Sequence, residues 1–190
     1  MKISKTIQEK ILFSRLKNKD KQAFIKVYDL YAQQLYRFVF FKVGNNKEEA
    51  EDLTAETFLK TWNYLQDNNV INHKSLKSLI YTIARNAIID YYRKDTQRKN
   101  IAIDNSDNKL DIIDEKQNIS GQLELSEDFA NIQTKLLELK NEYREVIILR
   151  FVNELSIAEI ADILDKSKGN VRVLVYRALK ALREMVDDIH

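Results

Sequence analysis

The sequence predicts an all-α chain of two small helical domains joined by an acidic flexible linker, the second domain ending in a helix-turn-helix. Three observations predict it. Apolar residues recur at helical spacing in the long segments outside residues 96–126, and no segment sustains period-two alternation. Helix breakers are scarce, with no proline and three glycines, and Gly44, Gly121 and Gly169 all fall at gaps in the helical pattern. The expected domains are residues 1–95 and 127–190, with residues 96–126 as the linker.

Each element has its own justification. Phe24, Val27, Tyr28, Tyr31, Leu35, Phe38, Val39 and Val43 make one helical stripe, which Gly44-Asn45-Asn46 ends. A second helix is expected from about Lys47 to Tyr64, with Ala50, Leu53, Phe58, Leu59 and Trp62 as its apolar side. A third runs roughly from Ser75 to Lys94 and carries Leu76, Leu79, Ile80, Ile83, Ala87, Ile88 and Tyr91. From Thr96 the pattern dissolves into a stretch rich in Asp, Asn, Ser and Gln, the composition of a linker. Periodicity returns from Glu127 to Val152, through Ile132, Leu136, Leu139, Tyr143, Val146, Ile147 and Phe151.

Ser156-Ile157-Ala158-Glu159 fits a capping box, in which the serine hydroxyl accepts an orphan amide of the first turn and the glutamate reaches back. The helix it starts packs Ile157, Ile160, Ala161 and Leu164 on one face. Asp165-Lys166 then forms a turn, and Ser167 caps a new helix through Val171, Val175, Ala178 and Leu182. Between Lys166 and Arg183 there are six cations and no acid. At about 100° per residue these cations lie opposite the packed arc. A helix-turn-helix with this polarity suits a DNA major groove, although a capped helical hairpin with a basic exposed face also occurs in proteins that never touch DNA.

Charge is spread unevenly behind a net of +2. Lys and Arg number 19 against 11 acids in residues 1–100, 2 against 8 in residues 101–128, and 10 against 10 in the remainder. The body is therefore basic, the joint acidic and the tail balanced. A 32% charged content and the absence of an apolar run of bilayer length exclude an inserted membrane protein, and a cytoplasmic location is expected. With no cysteine, two histidines (His73 and His190), no Ser/His/Asp set and no glycine-rich phosphate loop, the expectation is a chain that is not an enzyme. No catalytic residue, metal or cofactor is expected.

Two longer stretches carry a resemblance. "AEDLTAETFLKTW" (residues 50–62) followed by "SLKSLIYTIARNAIIDYYRK" (75–94) resembles the signature of bacterial RNA polymerase sigma factors of the extracytoplasmic-function (ECF) type. The segment "LKNEYREVIILRFVNELSIAEIADILDKSKGNVRVLVYRALKAL", from Leu139 to Leu182, resembles their promoter-reading domain. The resemblance implies a factor that binds core RNA polymerase, recognises promoter DNA at minus-ten and minus-thirty-five elements and directs transcription initiation. It implies in addition an anti-sigma factor as a partner. A stand-alone helix-turn-helix regulator acting without polymerase, and an adaptor that never contacts DNA, are the alternatives.

The resemblance assigns core-polymerase binding to Asp52, Leu53, Glu56 and Phe58. An acidic stripe beside apolar anchors suits a basic helical partner, while the same apolar residues could equally face the domain core. It assigns DNA binding in the first domain to Asn72, His73, Lys77, Arg85, Asn86, Arg93 and Lys94. Cations there would hold phosphates, and amide or aromatic groups would meet exposed bases. In the helix-turn-helix, helical angles and charge place DNA binding on Ser167, Lys168, Asn170, Arg172, Val173, Tyr176, Arg177 and Lys180. The chain departs from the family's usual residues at Ala55 (glutamine), Leu79 (tryptophan), Lys140 (proline) and Val173-Leu174 (Ser-Arg). Lys140 is expected to sit within a helix.

Overall fold

The computed structural model describes residues 11–16, 18–66, 75–104 and 134–187. The described elements are helices and their connections: α1 (residues 11–16), α2 (Lys21–Lys42), α3 (Lys47–Gln66), α4 (Leu76–Asp104), α5 (residues 134–138), α6 (Asn141–Ile147), a π-helical turn (Ile148–Val152), α7 (Ile157–Leu164) and α8 (Lys168–Asp187).

Local chemistry sets the helix ends in the first domain. The Asp20 carboxylate accepts the Gln22 and Ala23 amides at 2.9 and 3.1 Å, starting α2, and is itself held by Arg15 Nε at 2.7 Å. α2 stops where Gly44 and Asn45 take left-handed backbone angles, φ 71° and 65°, which glycine and asparagine adopt most readily. Asn46 Oδ1 then accepts the Glu49 amide at 3.2 Å and begins α3.

α2, α3 and α4 pack as a three-helix unit around Val27, Leu35, Phe38, Leu53, Phe58 and Ile80. Three threonines are buried in α3. Thr54, Thr57 and Thr61 each return their hydroxyl to the carbonyl four residues back, at 2.6, 2.6 and 2.8 Å, so none of these hydroxyls is left unpaired in the core. An aromatic cluster closes the α2–α3 side: Phe24 meets Trp62 with ring centres 5.0 Å apart, and Tyr28 meets Phe58 at 4.8 Å.

Two boundaries differ from the sequence expectation. α4 runs to Asp104, beyond the point where apolar periodicity fades, because nothing in Asp95–Asn100 breaks a helix and Thr96 Oγ1 bonds back to the Tyr92 carbonyl at 2.9 Å. The helix expected from Glu127 to Val152 is interrupted: Lys140, with ψ 139°, is the N-cap of α6 and not an interior residue. Beyond α6 the chain widens into the π turn, closed by the Asn153 amide on the Ile148 carbonyl at 2.9 Å. The linker expected at residues 96–126 lies outside the described residues from 105 onward.

The two helical domains are docked. Their buried side chains form one contiguous cluster, with α7 against α4 and the π turn against α2. In the second domain the capping box is present in full: the Glu159 amide donates to Ser156 Oγ at 3.2 Å and the Ser156 amide to Glu159 Oε2 at 2.9 Å. Asp165, with φ 51°, turns the chain, and Ser167 Oγ accepts the Asn170 amide at 3.1 Å to start α8.

Phe58, at 2% exposure, is a core residue of the first domain. Phe58→Ala should therefore cost about 3–5 kcal/mol of folding stability, measured by urea unfolding of the full chain. An unchanged midpoint would place the ring outside the core.

Candidate nucleic-acid interface

α8 presents the more compact of two basic surfaces. Val171 and Ala178 are fully buried against the second domain, which turns the other side of the helix outward. Ser167, Lys168, Asn170, Arg172, Val173, Tyr176, Arg177 and Lys180 are all exposed there, Tyr176 at 70% and Val173 at 49%. The structure thus brings all eight expected residues onto one outward face. The Ser167 hydroxyl is already occupied as the helix cap, whereas the Tyr176 ring and the Val173 side chain project between cations. The positive end of the helix dipole lies at Lys168.

On α3 the expected polymerase-binding residues divide. Asp52 is exposed and Glu56 half-exposed, the latter paired with Lys60 at 2.7 Å. Leu53 and Phe58 are buried in the first domain, so they shape this surface from beneath without reaching a partner. The apolar group that does stand outward is Leu59, at 63% exposure, beside exposed Tyr28 and Ile25 of α2. Sequence reasoning put Leu59 on the packed side because an apolar residue next to Phe58 falls within the same broad helical stripe. Its exposure depends on where α2 and α4 lie.

On α4 the expected DNA-binding set also divides. Asn86, Arg93 and Lys94 are exposed, with Arg93 reaching Asp90 at 3.1 Å. Lys77 and Arg85 lie on another side of the helix and are engaged by the second domain. Lys77 Nζ meets Glu159 at 2.5 Å; Arg85 donates from Nε and Nη2 to the two oxygens of Glu145 at 2.8 and 3.2 Å. Asn72 and His73 lie outside the described residues.

The seam between the domains contains groups that sequence reasoning missed. Lys42, 4% exposed at the end of α2, points at Glu145 (4.0 Å) and donates to Asn141 Oδ1. Burial pushes its ammonium below the usual lysine range; Glu145 partly restores it, and Arg144 and Arg85 lower it further. Asn153, carried by the π turn, donates to the Gln34 carbonyl at 2.6 Å and to the Tyr81 hydroxyl at 3.0 Å. Ser78 Oγ donates to the Asp162 carbonyl at 3.1 Å. A lysine inside the run "FVFFKV" and a glutamate among the buried residues of α6 were the available signals.

Comparison with known proteins matches residues 27–98 to the family described as Sigma-70 region 2 and residues 129–182 to that described as Sigma-70, region 4. The chain is 31% identical over 182 residues to the ECF RNA polymerase sigma factor SigW of Bacillus subtilis, covering 92% of this chain and 95% of that one. Among solved structures, the sigma factor RpoE of Bartonella quintana, crystallised with the anti-sigma factor NepR, is 25% identical with a TM-score of 0.59, over 86% of this chain and 96% of its own. CnrH, solved in complex with the cytosolic domain of CnrY, has a TM-score of 0.69 at 20% identity over 95% of this chain and 97% of its own, a likeness of fold.

The seam has a pH signature. Burial raises the Glu159 pKa, but the Lys77 ammonium and the Ser156 amide and hydroxyl outweigh it and hold the carboxyl below its ordinary value of 4.5. A carboxylate with a depressed folded pKa contributes stability that is complete above its unfolded value and is lost as pH falls through the folded one. Unfolding free energy measured downward from about pH 5 should therefore fall less steeply in Glu159→Gln than in the unaltered chain. Parallel profiles would remove Glu159 from the linkage.

Proposed function

The chain belongs to the ECF family of RNA polymerase sigma factors, and from that premise we propose how its exposed faces divide the work of directing transcription initiation. α8 reads the upstream promoter element, its cations holding phosphates while Val173 and Tyr176 meet base edges. The open side of α4, with Asn86, Arg93 and Lys94, faces the minus-ten region. Asn72 and His73, in the segment before α4, act there as well. The outward surface of α3, with Asp52, Glu56 and Leu59, binds core polymerase, and Leu53 and Phe58 support it from within.

The observation that carries this reading is the separation of two basic helix faces from one acidic–apolar face on a single chain. A stand-alone regulator would need only the first kind. Polymerase performs the phosphoryl transfer, and this chain contributes binding and placement in the cytoplasm, where polymerase and promoter meet. An anti-sigma factor, of the kind bound to RpoE in the Bartonella quintana complex, is the partner proposed to restrain it. The domains of this reading are residues 1–95 and 127–190, with the acidic segment between them.

Reconstitution with core polymerase on a supercoiled promoter template tests the whole reading: transcription should depend on the chain, and its failure would leave the regulator alternative standing. Asp52→Ala with Leu59→Ala should weaken association with core roughly tenfold or more while helical content is kept. Unaltered association would move the interface off α3. Separately, Arg172→Ala and Lys180→Ala should each reduce the salt slope of upstream-element binding by about one counterion. Identical slopes would turn this side of α8 away from DNA.

A further inference from the structure

We propose that Gly169 and Val173 are the line along which α8 touches the floor of the DNA major groove, Gly169 letting the helix backbone close on the duplex and Val173 resting on the 5-methyl group of a thymine. The proposal rests on the reading that α8 binds the upstream promoter element, and it adds which base is preferred there and why.

The first argument is where these residues stand. Val171 and Ala178 are fully buried and fix the packed side of α8. At about 100° per residue, Gly169, Val173 and Tyr176 fall within about 60° of one another on the opposite side. They are therefore the outermost line of the helix. Arg172 lies to one side of that line and Arg177 to the other, both exposed, so an uncharged strip is bordered by cations. A major groove has the matching polarity, with phosphates along both walls and base edges between them. From Gly169 to Tyr176 the strip runs about 10 Å along the helix axis, the length of about three base steps.

The second argument is a glycine that the fold does not require. Gly169 is exposed and lies inside α8, and its backbone is not in the left-handed region that Gly44 occupies. A methyl group added there would meet only Ser167 Oγ, at 3.9 Å, an ordinary van der Waals contact. Alanine would therefore fit, and it would favour the folded chain because glycine leaves the unfolded one more freedom. Nothing within the chain uses the missing side chain. What it leaves is bare backbone on the outermost line, where another surface can come closer than a Cβ would permit.

The third argument is the chemistry of Val173. Its side chain is 49% exposed and has no polar atom, and it stands between Gly169 and Tyr176 on the strip. Leu179 and Val186, two further exposed apolar residues of α8, lie off this line and nearer the packed side. The floor of the major groove offers one apolar group, the thymine 5-methyl, and otherwise hydrogen-bond donors and acceptors that valine cannot pair. Setting Val173 over any other base would take those groups from water without replacing their bonds.

Holoenzyme reconstituted from the full chain and core polymerase is offered promoter duplexes randomised across the upstream element, and the bound sequences are read. One position should come out as thymine. Replacing that thymine by deoxyuridine, which removes the methyl group and nothing else, should weaken binding about fourfold, the worth of one buried methyl. In Val173→Ser the same replacement should cost less than about twofold. Val173→Arg should turn the preferred base at that position to guanine, because a guanidinium bonds both O6 and N7. Gly169→Ala should separate stability from binding: its thermal midpoint should rise by about 1–3 °C, while affinity for the selected duplex falls.

The proposal is overturned if no thymine is selected, if deoxyuridine binds as well as thymine at every selected position, or if its cost is the same in Val173→Ser. It is overturned as well if Gly169→Ala loses no affinity, because the helix then stays too far from the groove floor for valine to reach a methyl group. A lower thermal midpoint in that variant would make the glycine a servant of the fold, with the same result. Loss of core-polymerase association in Val173→Ser would give the strip to a protein surface and equally end the proposal. Should the unaltered chain fail to form holoenzyme, the sigma-factor reading falls, and the same duplex comparisons with the full chain alone still decide the contact.

Discussion

The arrangement of the molecule depends on one part-buried contact, the two-pronged bond from Arg85 of α4 to Glu145 of α6. Removing both ions from water costs several kcal/mol per ion, and planar guanidinium-to-carboxylate geometry offsets much of that. The pair therefore contributes placement more than net stability. Loss of Glu145 would leave Arg85 and the buried Lys42 without their carboxylate, at a cost of about 3–5 kcal/mol. Lys42 shares Glu145, and Asn153 bonds to Tyr81 one helical turn before Arg85, so a shift of the second domain along α4 would break several polar contacts together.

Local chemistry was legible and distant contact was not. The capping box at Ser156, the turn at Asp165 and the cap at Ser167 could all be read because each is written within a few consecutive residues. All eight residues assigned to the α8 face stand outward. On α3, by contrast, helical spacing could not separate Phe58 from Leu59, because a packed helix buries a wide stripe and only its neighbours define the edge. Lys77 and Arg85 were readable as cations, but their partners lie 82 and 60 residues away, and no pattern in one segment announces a contact with another. The break at Lys140 was missed for a similar reason: nothing but its backbone angles separates α5 from α6.

The distribution of charge shows why a nearly neutral total says little about such a protein. A net charge of +2 hides a first domain rich in cations and a second whose acids are set toward it. Basic residues are placed in two ways. Those on α8 and the open side of α4 stand in water, where salt screens them, while Lys42 is withdrawn from solvent and Arg85 partly so, where it does not.

The π turn makes the docking of the domains a matter of counting. It holds one residue more per turn than an α-helix would, and that surplus sets the direction in which Asn153 leaves the chain. Winding the same residues, Ile148–Val152, as ordinary α-helix would rotate everything beyond them by roughly a quarter turn. Asn153 would then swing away from Gln34 and Tyr81, although every side chain of the seam was still encoded. Substitutions that favour the α form of this segment over its π form therefore loosen the docked arrangement without touching the contact itself.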